Sequence, residues 1–462
     1  MFKQRMTRRN VLTGLAAASA PLALGASATA SPAKRSTVFS APAVRQAVDL
    51  RLWILKTYVE PTNQAIEASV QRWAQQNNAT ATVEYFTFED MQTRYVAAIE
   101  NGNTPDIGQL ETGAPARFSG MGQLLDLTDF AAEIEGEFGA LPENLSAVAT
   151  VDGRTYALPW YVMPAFWYVW RDVFEENGVE LPETYDDVLA AAAELTRPSE
   201  GFWGLGHSWN RTTDGYGVMQ SLMYSHGARW ATEDGAYQSI RTPEMQAAME
   251  WAAAIYGPDL QPSDAISWTG SSNNEAYVAK KIAQTSNGPS VTYALETAVA
   301  EAQDAEDRKL REAALENHLA LPMPAGPDGR RMWAVAMSYG IFGNTQNPDA
   351  AMSLVRHLLS PDETQMVTEV SSGQFVPILS QAREASRDYF MSGGPNYETF
   401  FGSVDNFAAT GWPGPPTPAA AEVQASNVLT DMPARVIIDG QTVDQALEFG
   451  DARIKEIYDS LT

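Results

Sequence analysis

Aromatic rings set beside hydrogen-bonding side chains recur along this chain. They stand at Lys56-Thr57-Tyr58, at Trp209-Asn210 within Gly206 to Arg211, at Trp333 and at Tyr339, and Asn287-Gly288 adds an amide where a strand runs into a helix. Aromatic faces pack on weakly apolar C–H surfaces, while carboxylates, amides and hydroxyls exchange hydrogen bonds. A ligand carrying many hydroxyls asks for that combination. With 12 tryptophans and 17 tyrosines, many of the rings must be core, so position has to select among them.

Bond-breaking chemistry is harder to assemble. His207, His226, His318 and His357 show no metal spacing, and the absence of cysteine excludes disulfides and thiolate metal sites. The chain has neither a G-x-S-x-G elbow nor a Gly-Lys pair for a phosphate loop. Asp186-Asp187 could be taken for an acid and a nucleophile, but Thr184 with Asp187 three residues on is a helix capping pattern. The expectation is therefore no catalytic residue, no metal and no cofactor, with a periplasmic glycan hydrolase as the remote alternative.

Positioning these residues requires an α/β framework. Val48 to Leu55 alternates as a strand, and Asn63 to Asn77 places Ile66, Val70 and Trp73 at helical spacing. Thr82 to Phe86, Glu89 to Asn101 and Pro105 to Leu110 continue as strand, helix and strand. That alternation predicts βαβ units around a parallel sheet, with ligands taken at the carboxyl ends of the strands. The loops after Leu55 and Leu110 are thus the first places to look. Further on, Asp152-Gly153 reads as a hairpin turn, followed by the aromatic-rich stretch Trp160 to Trp170. Ile282 to Thr285 is a strand running into Asn287-Gly288-Pro289, whose helix start offers backbone N–H groups to a ligand oxygen. Asn317 to Pro324 and Ala334 to Phe342 are later strands, and helices are expected over Asp349 to Leu359 and Pro361 to Val370.

The first thirty residues read as an export signal. Lys3, Arg5, Arg8 and Arg9 precede the apolar run Val11 to Leu24, and Ala28-Thr29-Ala30 is a cleavage site. Thr7-Arg8-Arg9-Asn10-Val11-Leu12 matches the twin-arginine pattern, which predicts export of a folded protein. Residues 31–46 read as a flexible leader. No later run is long and apolar enough to span a membrane, and without cysteine no lipid-modified anchor follows the signal, so a periplasmic location is expected. A net charge of −26 argues against nucleic acid and anionic lipid as partners.

Seven landmarks in register resemble family 1 extracellular solute-binding proteins, the sugar-binding components of ABC importers. They are Leu50 to Leu55, Gly102 to Ile107, Asp152 to Pro159, Asn287-Gly288-Pro289, Leu321 to Pro324, Tyr339-Gly340-Ile341 and Gly440 to Leu447. The resemblance covers Asp49 to Tyr458. It implies a two-lobed, type II-like periplasmic binding fold with a ligand cleft between lobes and three hinge crossings, near Tyr156 to Trp160, Leu319 to Pro322 and Leu358 to Pro361. Lobe 1 is then 47–157 with 319–358, and lobe 2 is 158–318 with 359–462. It also implies ligand contact at Glu111 after the third strand. One of Trp160 and Tyr161 then packs at the hinge while the other faces the cleft, and Trp412 is a late aromatic contact. Where the maltose-binding member has a stacking tryptophan after Asn-Gly-Pro, this chain has Ser290, which weighs against maltodextrin. The expected partners are a carbohydrate (an oligosaccharide, a monosaccharide or a polyol) and the permease subunits that read lobe closure, with the protein itself a monomer. The alternative ligand is an anionic solute such as a glycerol phosphate, for which Arg117 and Arg211 are the available cations.

Overall fold

The computed structural model describes residues 48–255 and 259–461. The signal and leader expected over residues 1–46 lie outside the described residues. The strands are β1 (Asp49–Leu55), β2 (Thr80–Phe86), β3 (Ile107–Leu110), β4 (Thr150–Val151), β5 (Arg154–Thr155), β6 (Ala157–Pro164), β7 (Phe166–Trp170), β8 (Gln284–Asn287), β9 (His318–Leu321), β10 (Ala334–Ile341) and β11 (Val376–Pro377). Among the described residues they form a six-stranded sheet in the order β11-β6-β10-β3-β1-β2, a three-stranded sheet β8-β7-β9, and the β4-β5 hairpin.

β1 pairs in parallel with β2 and with β3, as the alternating pattern predicts. The period-2 reading of β1 catches only part of its burial. Trp53 and Leu55 are buried along with Leu52 and Ile54, because a strand between crossover helices is covered on both faces. The helix Glu60–Asn77 begins earlier than expected, since Pro61 in its first turn has a backbone already set for helix. It ends at Asn78 in the left-handed conformation (φ 49, ψ 47). The β4-β5 turn holds Asp152 and Gly153 at φ 50 and 74, the primed geometry that favours this dipeptide.

Thr184 closes a capping box. Its hydroxyl accepts from the Asp187 N–H at 3.2 Å, and the Asp187 carboxylate accepts from the Thr184 N–H at 2.9 Å. The bonds from Thr184 hold the Asp187 carboxyl below the usual carboxylate range.

Strand pairing moves the expected hinge crossings. β6 stays in the large sheet through Pro164, paired with β10 on one side and β11 on the other. β7 starts at Phe166 and pairs with β8 and β9. The first crossing therefore falls at Pro164-Ala165 and not at Tyr156 to Trp160. A proline, which cannot donate to the ladder, sits at the end of β6. β9 remains with β7 to Leu321, so the second crossing runs between Pro322 and Trp333.

The third crossing lies beyond the expected Leu358 to Pro361. The helix Pro361–Glu369 still packs on Glu60–Asn77 through Arg72 and Glu363, and β11 still pairs with β6. By Asn396 the chain has reached the small sheet, where this side chain accepts from the Ala320 N–H at 2.8 Å and donates to the His318 carbonyl at 3.0 Å.

Candidate functional site

The carboxyl end of β1, two of the crossings and the end of β8 meet around a cavity of about 120 Å³. From the large sheet come Lys56, Thr57 and Tyr58. Lys56 donates its N–H to the Phe86 carbonyl at 2.8 Å. Thr57 donates its N–H to Asn63 Oδ1 at 3.0 Å, and its hydroxyl donates to the Val59 carbonyl at 3.0 Å. The turn is thus tied to the first turn of the following helix, and its side chains hold their places at the cavity wall. Tyr58 is 66 % exposed and stands at the mouth.

The facing wall comes from the other lobe. Thr212 caps the helix Thr213–Ser225, its hydroxyl accepting from the Gly215 N–H at 3.0 Å, and this sets Asp214 in the first turn against the cavity. Asp214 Oδ2 accepts from Asn273 Nδ2 at 3.1 Å and Asn287 Nδ2 at 3.2 Å. Asn287 Nδ2 also donates to Asn274 Oδ1, while Asn287 Oδ1 accepts from the Gly288 N–H at 2.7 Å and from Ser290 Oγ at 3.1 Å. Two amides therefore hold the Asp214 carboxylate, and the Ser290 hydroxyl holds one of those amides. A fixed carboxylate beside amide and backbone groups suits a hydroxylated ligand, because each hydroxyl can both donate and accept.

Trp333 stands where the second crossing enters β10. Its N–H donates to Ser221 Oγ at 2.9 Å, and its ring lies over Gly217 of the Thr213–Ser225 helix. A Cβ at position 217 would come within 2.4 Å of Trp333 Cε3, so only glycine admits the ring there. Met163, Pro164 and Ala165 of the first crossing also line the cavity, as does Gln374 just before β11.

Of the residues singled out from sequence, Lys56, Thr57, Tyr58, Asn287, Gly288 and Trp333 are brought together here. The remaining seven are placed elsewhere. Trp160 and Tyr161 are both buried in β6. Trp160 Nε1 donates to Thr364 Oγ1 at 3.0 Å, and Tyr161 stacks on Phe375 at 3.6 Å while its hydroxyl accepts from Gln109. Neither lines the cavity, since both rings are buried in the packing around β6. Tyr339 is buried beside Trp160 at 5.1 Å. Trp209 is buried between His207 and Trp251, and Asn210 spends its amide on the Trp268 carbonyl at 2.5 Å. Trp412 packs against Arg229, whose guanidinium is 3.9 Å from the ring centroid, and against Arg331 at 4.8 Å. Those contacts tie Trp412 into the fold.

Glu111 follows β3 as expected, yet its end of the cleft is filled. The helix Ala114–Gly120 meets the segment Pro418–Ala425, with Arg117 Nε 3.3 Å from Glu422. Glu111 accepts from Gln92 Nε2. Burial raises its carboxyl above the usual range, against the bond from Gln92 and the charge of Arg117.

Sequence reasoning missed Asp214, Asn274, Ser290 as a hydrogen-bonding wall residue, and Gln374. The Thr212-x-x-Gly215 cap was the one local signal that could have drawn attention to Asp214.

The sequence matches the family model described as bacterial extracellular solute-binding protein over residues 58–365. The diacetylchitobiose-binding protein of Streptomyces coelicolor is 23% identical over 217 residues, 46% of this chain and 45% of that protein. The arabinooligosaccharide-binding protein of Halalkalibacterium halodurans is 26% identical over 157 residues, 33% of each. The chain thus spans about half the length, or less, of these curated relatives. In fold, it resembles an ABC transporter solute-binding protein of Thermotoga lettingae bound with α-D-tagatose. The TM-score is 0.74 at 19% identity, over 89% of this chain and 100% of the other.

Proposed function

We propose that this chain, which belongs to the bacterial extracellular solute-binding protein family, captures a neutral carbohydrate between its lobes and hands it to an ABC importer. The observation that carries this reading is the cavity walled from both lobes, with Lys56 to Tyr58 on one side, the Asp214–Asn287 network on the other and Trp333 at the crossing. A ligand held there bonds to both lobes at once and stabilises the closed form. The names of the two sugar-binding relatives support the same class of ligand.

A neutral ligand fits better than a phosphorylated one. Lys56 is the one cation among the residues lining the cavity, and Asp214 brings the opposite charge to the same lining. The two arginines available for an anion are both engaged: Arg211 with Asp431 at 2.9 Å and Arg117 with Glu422 at 3.3 Å.

Binding without turnover is part of the proposal, as is delivery to the permease from the periplasm after twin-arginine export. No helix among the described residues is long and apolar enough to cross a membrane. The experiment is a thermal-shift screen of saccharides, polyols and glycerol phosphates, because a ligand bound only by the folded state raises its melting temperature by mass action. A saccharide-dependent rise with the sugar recovered unchanged supports the reading. A rise with glycerol phosphate alone, or product formed from a saccharide, overturns it.

A further inference from the structure

Asn287 is 7 % exposed and lines the cavity at the end of β8. A carboxamide can donate two hydrogen bonds and accept two, and this one makes all four. Its Nδ2 donates to Asp214 Oδ2 at 3.2 Å and to Asn274 Oδ1. Its Oδ1 accepts from the Gly288 N–H at 2.7 Å and from Ser290 Oγ at 3.1 Å. Turned the other way, the amide would set its oxygen against Asp214 Oδ2 and its N–H against the Gly288 N–H, so the neighbours fix its direction. The amide therefore stands in the cavity wall with its hydrogen-bonding capacity already spent within the protein.

Three of these side chains close a ring. Asn287 Nδ2 donates to Asn274 Oδ1, Asn274 Nδ2 donates to Ser290 Oγ at 3.2 Å, and Ser290 Oγ donates to Asn287 Oδ1. The members come from the helix Ser272–Val278, the end of β8 and the first turn of the helix Ser290–Ala300. Ser290 thus spends its hydroxyl on the ring. Asn273, fully buried beside Asn274, donates its Nδ2 to Asp214 Oδ2 at 3.1 Å and to the Ser286 carbonyl at 3.1 Å. Asp214 Oδ2 is therefore held by two amides, one anchored by the ring and the other by the backbone of β8. All of these groups belong to one lobe, so the carboxylate is set before the lobes close, and a group set in advance loses less freedom on binding.

We infer that Asn287 is a positioning residue for carbohydrate binding: it does not itself bond to the sugar but fixes the Asp214 carboxylate that does, through the ring closed by Asn274 and Ser290. The inference rests on the carbohydrate reading proposed above.

The test is a double-mutant cycle read by calorimetric titration of the full chain. The probe is whichever of D-glucose, D-xylose, D-mannitol, maltose, cellobiose and diacetylchitobiose binds the wild type most tightly. Asn287→Ala should weaken that sugar about tenfold in the wild-type background. In the Asp214→Ala background it should cost less than about twofold, because residues that act through one another are not additive. Loss by the same factor in both backgrounds makes Asn287 an independent contact and overturns the inference, leaving the carbohydrate reading standing. Unchanged affinity in Asn287→Ala overturns it as well.

Asn287→Asp keeps the shape of the side chain and adds a readout that damage to the fold would not move. It sets two carboxylates side by side, so the pair takes up a proton more readily than an ordinary carboxyl does. Asp214 is the titratable group that bonds to position 287; Asn274 and Ser290 carry no charge, and Lys56 and Tyr58 are the other titratable residues lining the cavity. A proton on the pair restores a donor between the two residues. Affinity of this variant should rise at least about threefold from pH 8 to pH 5, with the wild type constant within about twofold. A flat profile in the variant overturns the inference, and this arm decides where Asn287→Ala does not fold or Asp214→Ala no longer binds measurably. Binding of none of the six sugars overturns the inference and the carbohydrate reading together.

Discussion

Gly217→Ala is the perturbation most closely set by the geometry. The added Cβ would meet Trp333 Cε3 at 2.4 Å and Cζ3 at 2.9 Å, whereas carbon atoms rest about 3.5–4.0 Å apart. The ring or the helix must therefore move by about 1 Å. The Trp333 backbone is held to Ser221 at 2.9 Å, so the ring yields toward the cavity it lines. Overpacking of this kind costs about 1–3 kcal/mol, which for a chain of this size lowers the melting temperature by about 1 °C per kcal/mol. The effect on binding should be larger, because a positioned group displaced by about 1 Å can lose up to about a hundredfold in efficacy. The assay is calorimetric affinity for whichever saccharide raises the wild-type melting temperature, alongside the unliganded melting curve. A variant that melts and binds like the wild type would show that Trp333 is not held by Gly217 and does not shape the site.

Three further outcomes follow from the same geometry. Asp214→Ala removes the acceptor that Asn273 and Asn287 share and should weaken saccharide binding at least about tenfold, measured by titration; full retention would remove the carboxylate from the site. Trp412→Ala should lower the melting temperature, through loss of its contacts with Arg229 and Arg331, yet leave affinity within about twofold; a large loss of affinity would put Trp412 back in the cleft. Burial lowers the His207 pKa to about 4, so the unfolded chain binds more protons below its ordinary range near pH 6.5. The stability that depends on a neutral His207 is complete above pH 6.5 and is lost as pH falls toward 4. His207→Gln should narrow the gap in unfolding free energy between pH 7 and pH 4, measured by urea titration, by up to about 3 kcal/mol relative to wild type, and an unchanged gap would contradict this.

Much of the framework was legible in sequence because it rests on local chemistry. The alternation in Leu50 to Leu55, the Asp152-Gly153 turn and the Thr184 capping box each need only near neighbours, and each appears where expected. The candidate site was legible only where it coincides with the end of a strand, at Lys56 to Tyr58, at Asn287-Gly288 and at the entry to β10. Trp160 and Tyr161 fall outside the site because β6 is buried on both faces, by contacts with Thr364 and Phe375 some two hundred residues later. Pro164 was a better marker of the crossing than the aromatic pair before it. Asp214 and Gln374 reach the cavity from elements far apart in the chain, and no spacing in the sequence joins them. Glu111 sits where strand-end reasoning puts it, but Pro418–Ala425, some three hundred residues later, covers that end of the cleft.

The most direct measurement is a crystal structure of the protein grown with the saccharide that most raises its melting temperature. The account predicts a saccharide or polyol enclosed between the lobes, against the Trp333 ring and within hydrogen-bonding distance of the Asp214–Asn287 network. A sugar bound instead against Glu111 or Trp412, or on the outer surface of either lobe with this cavity unchanged, would contradict it.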